Sequence, residues 1–229
     1  MTANGAPEFD LAAAVYPRVF RMDLSQPGFA LIDLGPKCGS QRQRRIMVEL
    51  KRELDQLERR TRGRCLLYQS MGRFDQQLTT KPHRDGGPDE SVLMLGYEPS
   101  PLSSRVLISD FSKCADEKGI APSEFLDRFN PMLSVEVDQL AAFTSPVPRF
   151  DHRRFQILLI NNSVASPGEG RLIGVLHTAE VAEPDSSGSK VTRIVNSTMI
   201  GSMPRGEEEP VPAEAQQEFT TTDLVRRLG

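Results

Sequence analysis

Histidine and cysteine are both scarce in this chain, with three of each among 229 residues. Cys38, Cys65 and Cys114 are widely spaced and form no C-x-x-C pair. So sparse and odd a set points to a reducing compartment and to thiols buried as small hydrophobes. Positive charge is not in excess, since 28 Lys and Arg stand against 31 Asp and Glu. Without a global basic field, nucleic acid is not an expected partner. No stretch approaches the roughly 18 apolar residues of a membrane span. The N-terminus has no basic region followed by an apolar run, so no secretory leader is expected. Together these absences predict a soluble, cytoplasmic protein with one domain and a proper core.

What is present reads mainly as β structure. Residues 1–15 are small and weakly patterned and are expected to be a loose arm. Val19 to Leu34 reads as two short strands around Pro27-Gly28. From Ser40 to Arg60 the period changes: Ile46, Leu50, Leu54 and Leu57 fall at helical spacing, which predicts an amphipathic helix of about five turns. Its Arg-rich opposite face, interleaved with Glu49, Glu53, Asp55 and Glu58, is expected to be solvated. Strands follow near Cys65–Ser70, Phe74–Leu78, Pro82–Asp85, Val92–Tyr97 and Arg105–Asp110. A helix is predicted over Pro122–Phe129, ended by Asn130-Pro131. Further strands are predicted over Ser134–Val137, Phe155–Asn161, Arg171–Val181 and Lys190–Ile200. Many short strands with few helices favour a β sandwich or barrel spanning residues 16–202. Residues 203–229, with Glu207-Glu208-Glu209-Pro210, are expected to be an acidic, disordered tail, with a short helix at Thr222–Leu228.

The chemistry concentrates in Thr80-Lys81-Pro82-His83-Arg84-Asp85-Gly86-Gly87. On a strand, residues i and i+2 share a face, so His83 and Asp85 would point one way and Arg84 the other. One imidazole and one carboxylate are two thirds of a 2-His-1-carboxylate facial triad, which holds non-haem Fe(II) with positions left open. The same letters invite a kinase catalytic loop. That reading fails because Glu90 stands where the metal-binding Asn is required and no Gly-rich loop precedes. A nucleophilic triad is disfavoured by the absence of a G-x-S-x-G elbow. The third ligand is drawn from His152 or His177. His152 lies in a charged run, Phe150-Asp151-His152-Arg153-Arg154, and is expected in a loop. His177 shares its strand face with Ile173, Val175, Ala179 and Val181, an apolar wall suited to a barrel interior, and is favoured.

A hairpin centred near Asp185 would set Arg193 opposite or diagonal to His177. A buried arginine there needs an anion, and a dicarboxylate cosubstrate suits its guanidinium fork. Tyr97, on the strand after the His-x-Asp turn, is a candidate hydrogen-bond partner for that cosubstrate.

The series His83-Arg84-Asp85, His177 and Arg193, over residues 65–200, resembles the 2-oxoglutarate and Fe(II)-dependent oxygenases. That resemblance implies a double-stranded β-helix (jelly roll), with the Ser40–Arg60 helix bracing the larger sheet. It implies that His83, Asp85 and His177 bind Fe(II) and that Arg193 grips the distal carboxylate of 2-oxoglutarate. Hydroxylation of a substrate, with release of succinate and CO₂, is the expected reaction, and a small molecule is favoured over a protein as substrate. The alternative from another class is a metal-binding jelly roll without turnover, serving as a ligand-binding or interaction module.

Overall fold

The computed structural model describes residues 8–128, 137–164, 170–182 and 191–227. The first elements in chain order are α1 (Glu8–Val19), β1 (Phe29–Gly35), α2 (Ser40–Thr61), β2 (Cys65–Asp75), β3 (Ser91–Tyr97) and β4 (Ser104–Ser109). Next come α3 (Phe111–Glu117), α4 (Pro122–Arg128), a 3-10 helix (Val137–Phe143), β5 (Thr144–Pro146) and β6 (Phe155–Asn161). The last are β7 (Leu176–Val181), β8 (Ile194–Met203), α5 (Ala213–Thr221) and β9 (Arg226–Arg227).

Six strands form one sheet in the order β1-β6-β3-β8-β2-β9, and three form a second in the order β5-β4-β7. Every pairing is antiparallel except the short β2–β9 contact. The chain is thus mainly antiparallel β with helices added, in line with the β-rich fold that its many short predicted strands favour.

Side-chain alternation explains how the layers stack. Along β3, Leu93, Leu95 and Tyr97 join Val106 and Ile108 of β4 in a core between the two sheets. Val92 and Met94 of the same strand face the opposite way, into a core shared with α1 and α2. On β6, Leu158 and Ile160 take the first side and Ile157 and Leu159 the second. A strand covered on both faces must be apolar throughout, and β3 is buried at all seven positions. Each fully buried Leu or Ile here contributes about 1.5–3 kcal/mol.

The predicted amphipathic helix is present as α2, with Leu50 and Leu54 buried and Ile46 and Leu57 partly covered. Its charged side is not simply solvated, because Arg44 and Glu58 are completely buried. Tyr16 donates to Glu58 at 2.6 Å, and Arg62 pairs with Glu58 at 2.8 Å.

Several expectations are corrected. From Glu8 the expected loose arm is helical, with Ala12, Val15, Tyr16 and Val19 buried at a helical period. Around Pro27-Gly28 only the second strand, β1, forms. Cys65–Ser70 and Phe74–Leu78 belong to one strand, β2, as far as Asp75. Pro82–Asp85 is not a strand but a segment with one bridge. The strand predicted over Arg171–Val181 begins only at Leu176, and that over Lys190–Ile200 becomes Ile194–Met203. Except for Val137, which opens the 3-10 helix, the strand predicted at 134–137 lies outside the described residues.

The expected tail is ordered as far as Arg227. Strand β8 runs to Met203, α5 packs on α2, and β9 replaces the predicted terminal helix. Arg44 donates to the carbonyls of Phe219 and Thr222, and Arg73 to that of Asp223. These bonds satisfy carbonyls at the α5 C-terminus that the helix itself leaves open. No helix among the described residues is long and apolar enough to cross a membrane.

Candidate metal centre

The segment carrying His83 meets β7 through a single antiparallel bridge between His83 and His177. Each amide donates to the other residue's carbonyl, at 3.0 and 2.9 Å. Directly opposed residues project to the same side, and the two imidazole centroids are 4.2 Å apart. Asp85 Oδ1 lies 3.5 Å from His83 Nε2. The ligand atoms of His83, Asp85 and His177 all fall within 4.8 Å of one another.

The predicted hairpin between His177 and Arg193 does not form. Strand β7 pairs with β4 in the smaller sheet, whereas β8 pairs with β2 and β3 in the larger. Residues 183–190, which would hold the turn, lie outside the described residues. The two sheets instead confront each other, and the triad forms part of the wall of a cavity of about 320 Å³ between them. Leu93 and Leu95 of β3, with Val195, Ser197 and Met199 of β8, line its larger-sheet side.

Those rows continue to Tyr97 and Arg193. Tyr97 is two residues beyond Leu95, Arg193 is two before Val195, and Tyr97 pairs with Val195. The Arg193 guanidinium carbon lies 5.2 Å from the Tyr97 ring centroid, close enough for cation–π attraction. Arg193 is 2% exposed. Its Nη1 donates to the Gln76 carbonyl at 3.0 Å and its Nε to Ser104 Oγ at 3.2 Å. Nη2 is buried without a hydrogen-bond partner of good geometry. No carboxylate among the described residues pairs with this side chain; Asp75 accepts the Arg193 backbone N–H, at 2.9 Å, and the Gln77 side-chain amide.

The donor set fits a divalent transition metal. His83 Nδ1 lies 2.8 Å from the Lys81 carbonyl. Donation there would leave Nε2, on the side of Asp85, as the nitrogen available to a metal, the outer-layer arrangement that orients metal-ligating histidines. His177 Nδ1 is buried with no partner among the described residues, an arrangement that is costly for a polar atom.

Protonation follows the same logic. Burial holds His177 neutral and lowers its pKa to about 4; His83 adds to this and Asp85 opposes it. For His83, burial also favours the neutral form, but hydrogen bonds to Asp85 and the Lys81 carbonyl outweigh it and raise the pKa. Burial alone would raise Asp85, yet contact with His83 and the charges of His177, His83 and Arg84 hold it low. An ionised carboxylate beside a neutral imidazole is the form in which these groups ligate. Burial raises the Tyr97 hydroxyl pKa, with the charge and proximity of Arg193 pulling the other way.

His152 stands apart from the triad; its carbonyl accepts the Ser100 N–H at 2.8 Å. Sequence reasoning missed Asn162, which is completely buried and hydrogen-bonded to Asp85. Nothing in Asn161-Asn162-Ser163 announces that role, because it depends on a contact distant in sequence. No protein-family model and no curated protein matches the chain.

Proposed function

We propose that this chain is an Fe(II) and 2-oxoglutarate-dependent oxygenase with a jelly-roll fold. The observation that carries the proposal is a His83–Asp85–His177 cluster on the wall of a cavity between two sheets, with Arg193, buried and without a carboxylate partner among the described residues, two residues along the chain from Val195 of that wall. Strand order supports the jelly roll. The sequence β2, His83 segment, β3, β4, β5, β6, β7, β8 occupies β6-β3-β8-β2 in one sheet and β5-β4-β7 with the His83 segment in the other, as two interleaved antiparallel windings require.

In this reading His83, Asp85 and His177 would hold the metal, a donor set suited to Fe(II). Bound Fe(II) with 2-oxoglutarate supplies the oxidising chemistry of O₂. Arg193, two residues before Val195 of the cavity wall, would bind the remote carboxylate of 2-oxoglutarate through Nη2, which is buried without a hydrogen-bond partner. Tyr97 packs against the guanidinium and holds its plane. Leu93, Leu95, Val195 and Met199 keep that part of the cavity dry. The net reaction inserts one atom of O₂ into a substrate C–H bond and places the other in succinate, as 2-oxoglutarate loses CO₂.

A cavity of about 320 Å³ lies at the small end of the range for small-molecule sites, so a small molecule is the proposed substrate. A cytoplasmic setting is part of the proposal, supported by the free thiols of Cys38, Cys65 and Cys114. Fe(II)-dependent succinate formation from 2-oxoglutarate tests the activity. Metal binding without succinate in the presence of candidate substrates would favour a non-catalytic binding module.

A further inference from the structure

The His83 segment leaves β7 immediately after its one bridge. Continued pairing would set Asp85 against Val175, but the Val175 amide donates instead to the Asn161 carbonyl at 2.9 Å. The backbone of Asp85 is therefore released by the strand just where its carboxylate must be aimed. The Asn162 side chain takes over. Its Oδ1 accepts the Asp85 N–H at 3.0 Å, and its Nδ2 donates to the Asp85 carbonyl at 2.9 Å. One primary amide thus offers Asp85 the donor and acceptor that a neighbouring strand residue would have offered.

Asn162 is itself held from several sides. Its N–H donates to the Ser91 carbonyl at 2.8 Å, and Nδ2 also reaches Ser91 Oγ at 3.1 Å. Its carbonyl accepts from Arg84 Nε at 3.1 Å. The side chain is completely buried, so the clasp is anchored in β3 at the centre of the larger sheet. We infer that Asn162 is a positioning residue for the metal centre, fixing the backbone of Asp85 so that its half-exposed carboxylate meets His83 and His177. This inference rests on the metal reading above. Groups that orient a metal ligand typically account for a 10- to 100-fold difference in metal affinity.

Asn161 provides a matched control. It is equally buried, but its amide donates to the Val19 carbonyl and accepts from Ser163 N–H, without contact to Asp85. Anaerobic calorimetric titration with Mn(II) would be run on the wild type, Asn162→Ala and Asn161→Ala, with melting temperatures recorded for each. Both variants should melt earlier, but only Asn162→Ala should bind Mn(II) roughly 10- to 100-fold more weakly. Its Mn(II) electron-spin-resonance spectrum should also broaden as the carboxylate loses its fixed aim. Asn162→Ser, which keeps a polar group and admits a water, covers failure of the alanine variant to fold, with the same direction expected. Wild-type affinity in Asn162→Ala or Asn162→Ser, or equal weakening in Asn161→Ala, would overturn the positioning role alone. Absence of Mn(II) binding in the wild type would overturn the metal reading and this role with it.

Discussion

His83 and His177 are opposed across a bridge of two backbone hydrogen bonds, 3.0 and 2.9 Å long, formed where no regular ladder runs. That contact ties the His83 segment to the edge of β7 and turns both imidazoles to the same side. Thr79 and Thr80 reinforce it. Thr80 Oγ1 accepts the Ala179 N–H at 2.9 Å, and Thr79 Oγ1 accepts that of Val181 at 3.0 Å.

Removing a ligand should remove the metal and leave the fold. His83→Ala, Asp85→Ala and His177→Ala should each abolish Fe(II) or Mn(II) binding by anaerobic calorimetry, with far-UV circular dichroism unchanged. A core of this extent does not depend on one metal. His152→Ala should bind metal normally, since it lies outside the cluster. Retained binding in His177→Ala with loss in His152→Ala would contradict the assignment.

Arg193 should decide affinity for 2-oxoglutarate and not for metal. Losing one partner of a desolvated charge pair costs about 2–5 kcal/mol, or roughly a 30- to 4,000-fold loss in affinity. Arg193→Leu should therefore raise the apparent 2-oxoglutarate constant at least tenfold, with Arg193→Lys intermediate because it keeps the charge without the fork. Thermal-shift measurements check this without turnover. Saturating 2-oxoglutarate should stabilise the metal-loaded wild type by about 2.7 kcal/mol at a hundred times its dissociation constant, and Arg193→Leu by less than about 1 kcal/mol at the same concentration.

Glu90 should confer acid-sensitive stability. It is buried, ion-paired with Arg62, and accepts the Leu172 N–H at 3.0 Å. Burial raises its pKa, but the Leu172 N–H, Arg62 and Arg64 outweigh burial and hold it below the usual range. A depressed folded-state pKa means stability that is complete above the unfolded value of about 4.3 and is lost as pH falls through the folded value. Glu90→Gln should be less stable by about 3 kcal/mol near neutrality, and the gap to wild type should close on acidification. Urea unfolding from pH 7 to pH 3 measures this; a constant gap would rule it out.

The C-terminal helix should loosen when its arginine anchor is removed. Arg44→Met deletes the bonds to the Phe219 and Thr222 carbonyls, each worth about 1.5–3 kcal/mol for a charged donor. Amide exchange across 213–221 should accelerate at least tenfold while β3 stays protected. Unchanged exchange in α5 would show that packing of Phe219 and Val211 alone holds it.

Where the chain follows local periodicity, the sequence was legible. Helix α2 and strands β3 and β6 lie close to where apolar spacing puts them. The His83-x-Asp85 pair and the apolar setting of His177 pointed to residues that the structure brings within 4.8 Å of one another. The routes were less legible. His83 and Asp85 share a side through one bridge and an asparagine clasp, not through a strand. Arg193 joins Tyr97 by extending a row of β8, not by a hairpin with β7. The arm is not legible as a helix because small residues such as Ala12 and Val15 make up the buried stripe. The order of the tail is not legible because guanidinium-to-carbonyl bonds from residues far away in the chain hold a polar helix in place.

Crystals grown anaerobically with Mn(II) and 2-oxoglutarate test the central claim most directly. The account predicts a metal about 2.0–2.3 Å from a nitrogen of His83, an oxygen of Asp85 and a nitrogen of His177, with the remote carboxylate of 2-oxoglutarate on Arg193 Nη2. A metal held elsewhere, or 2-oxoglutarate bound away from Arg193, would contradict it.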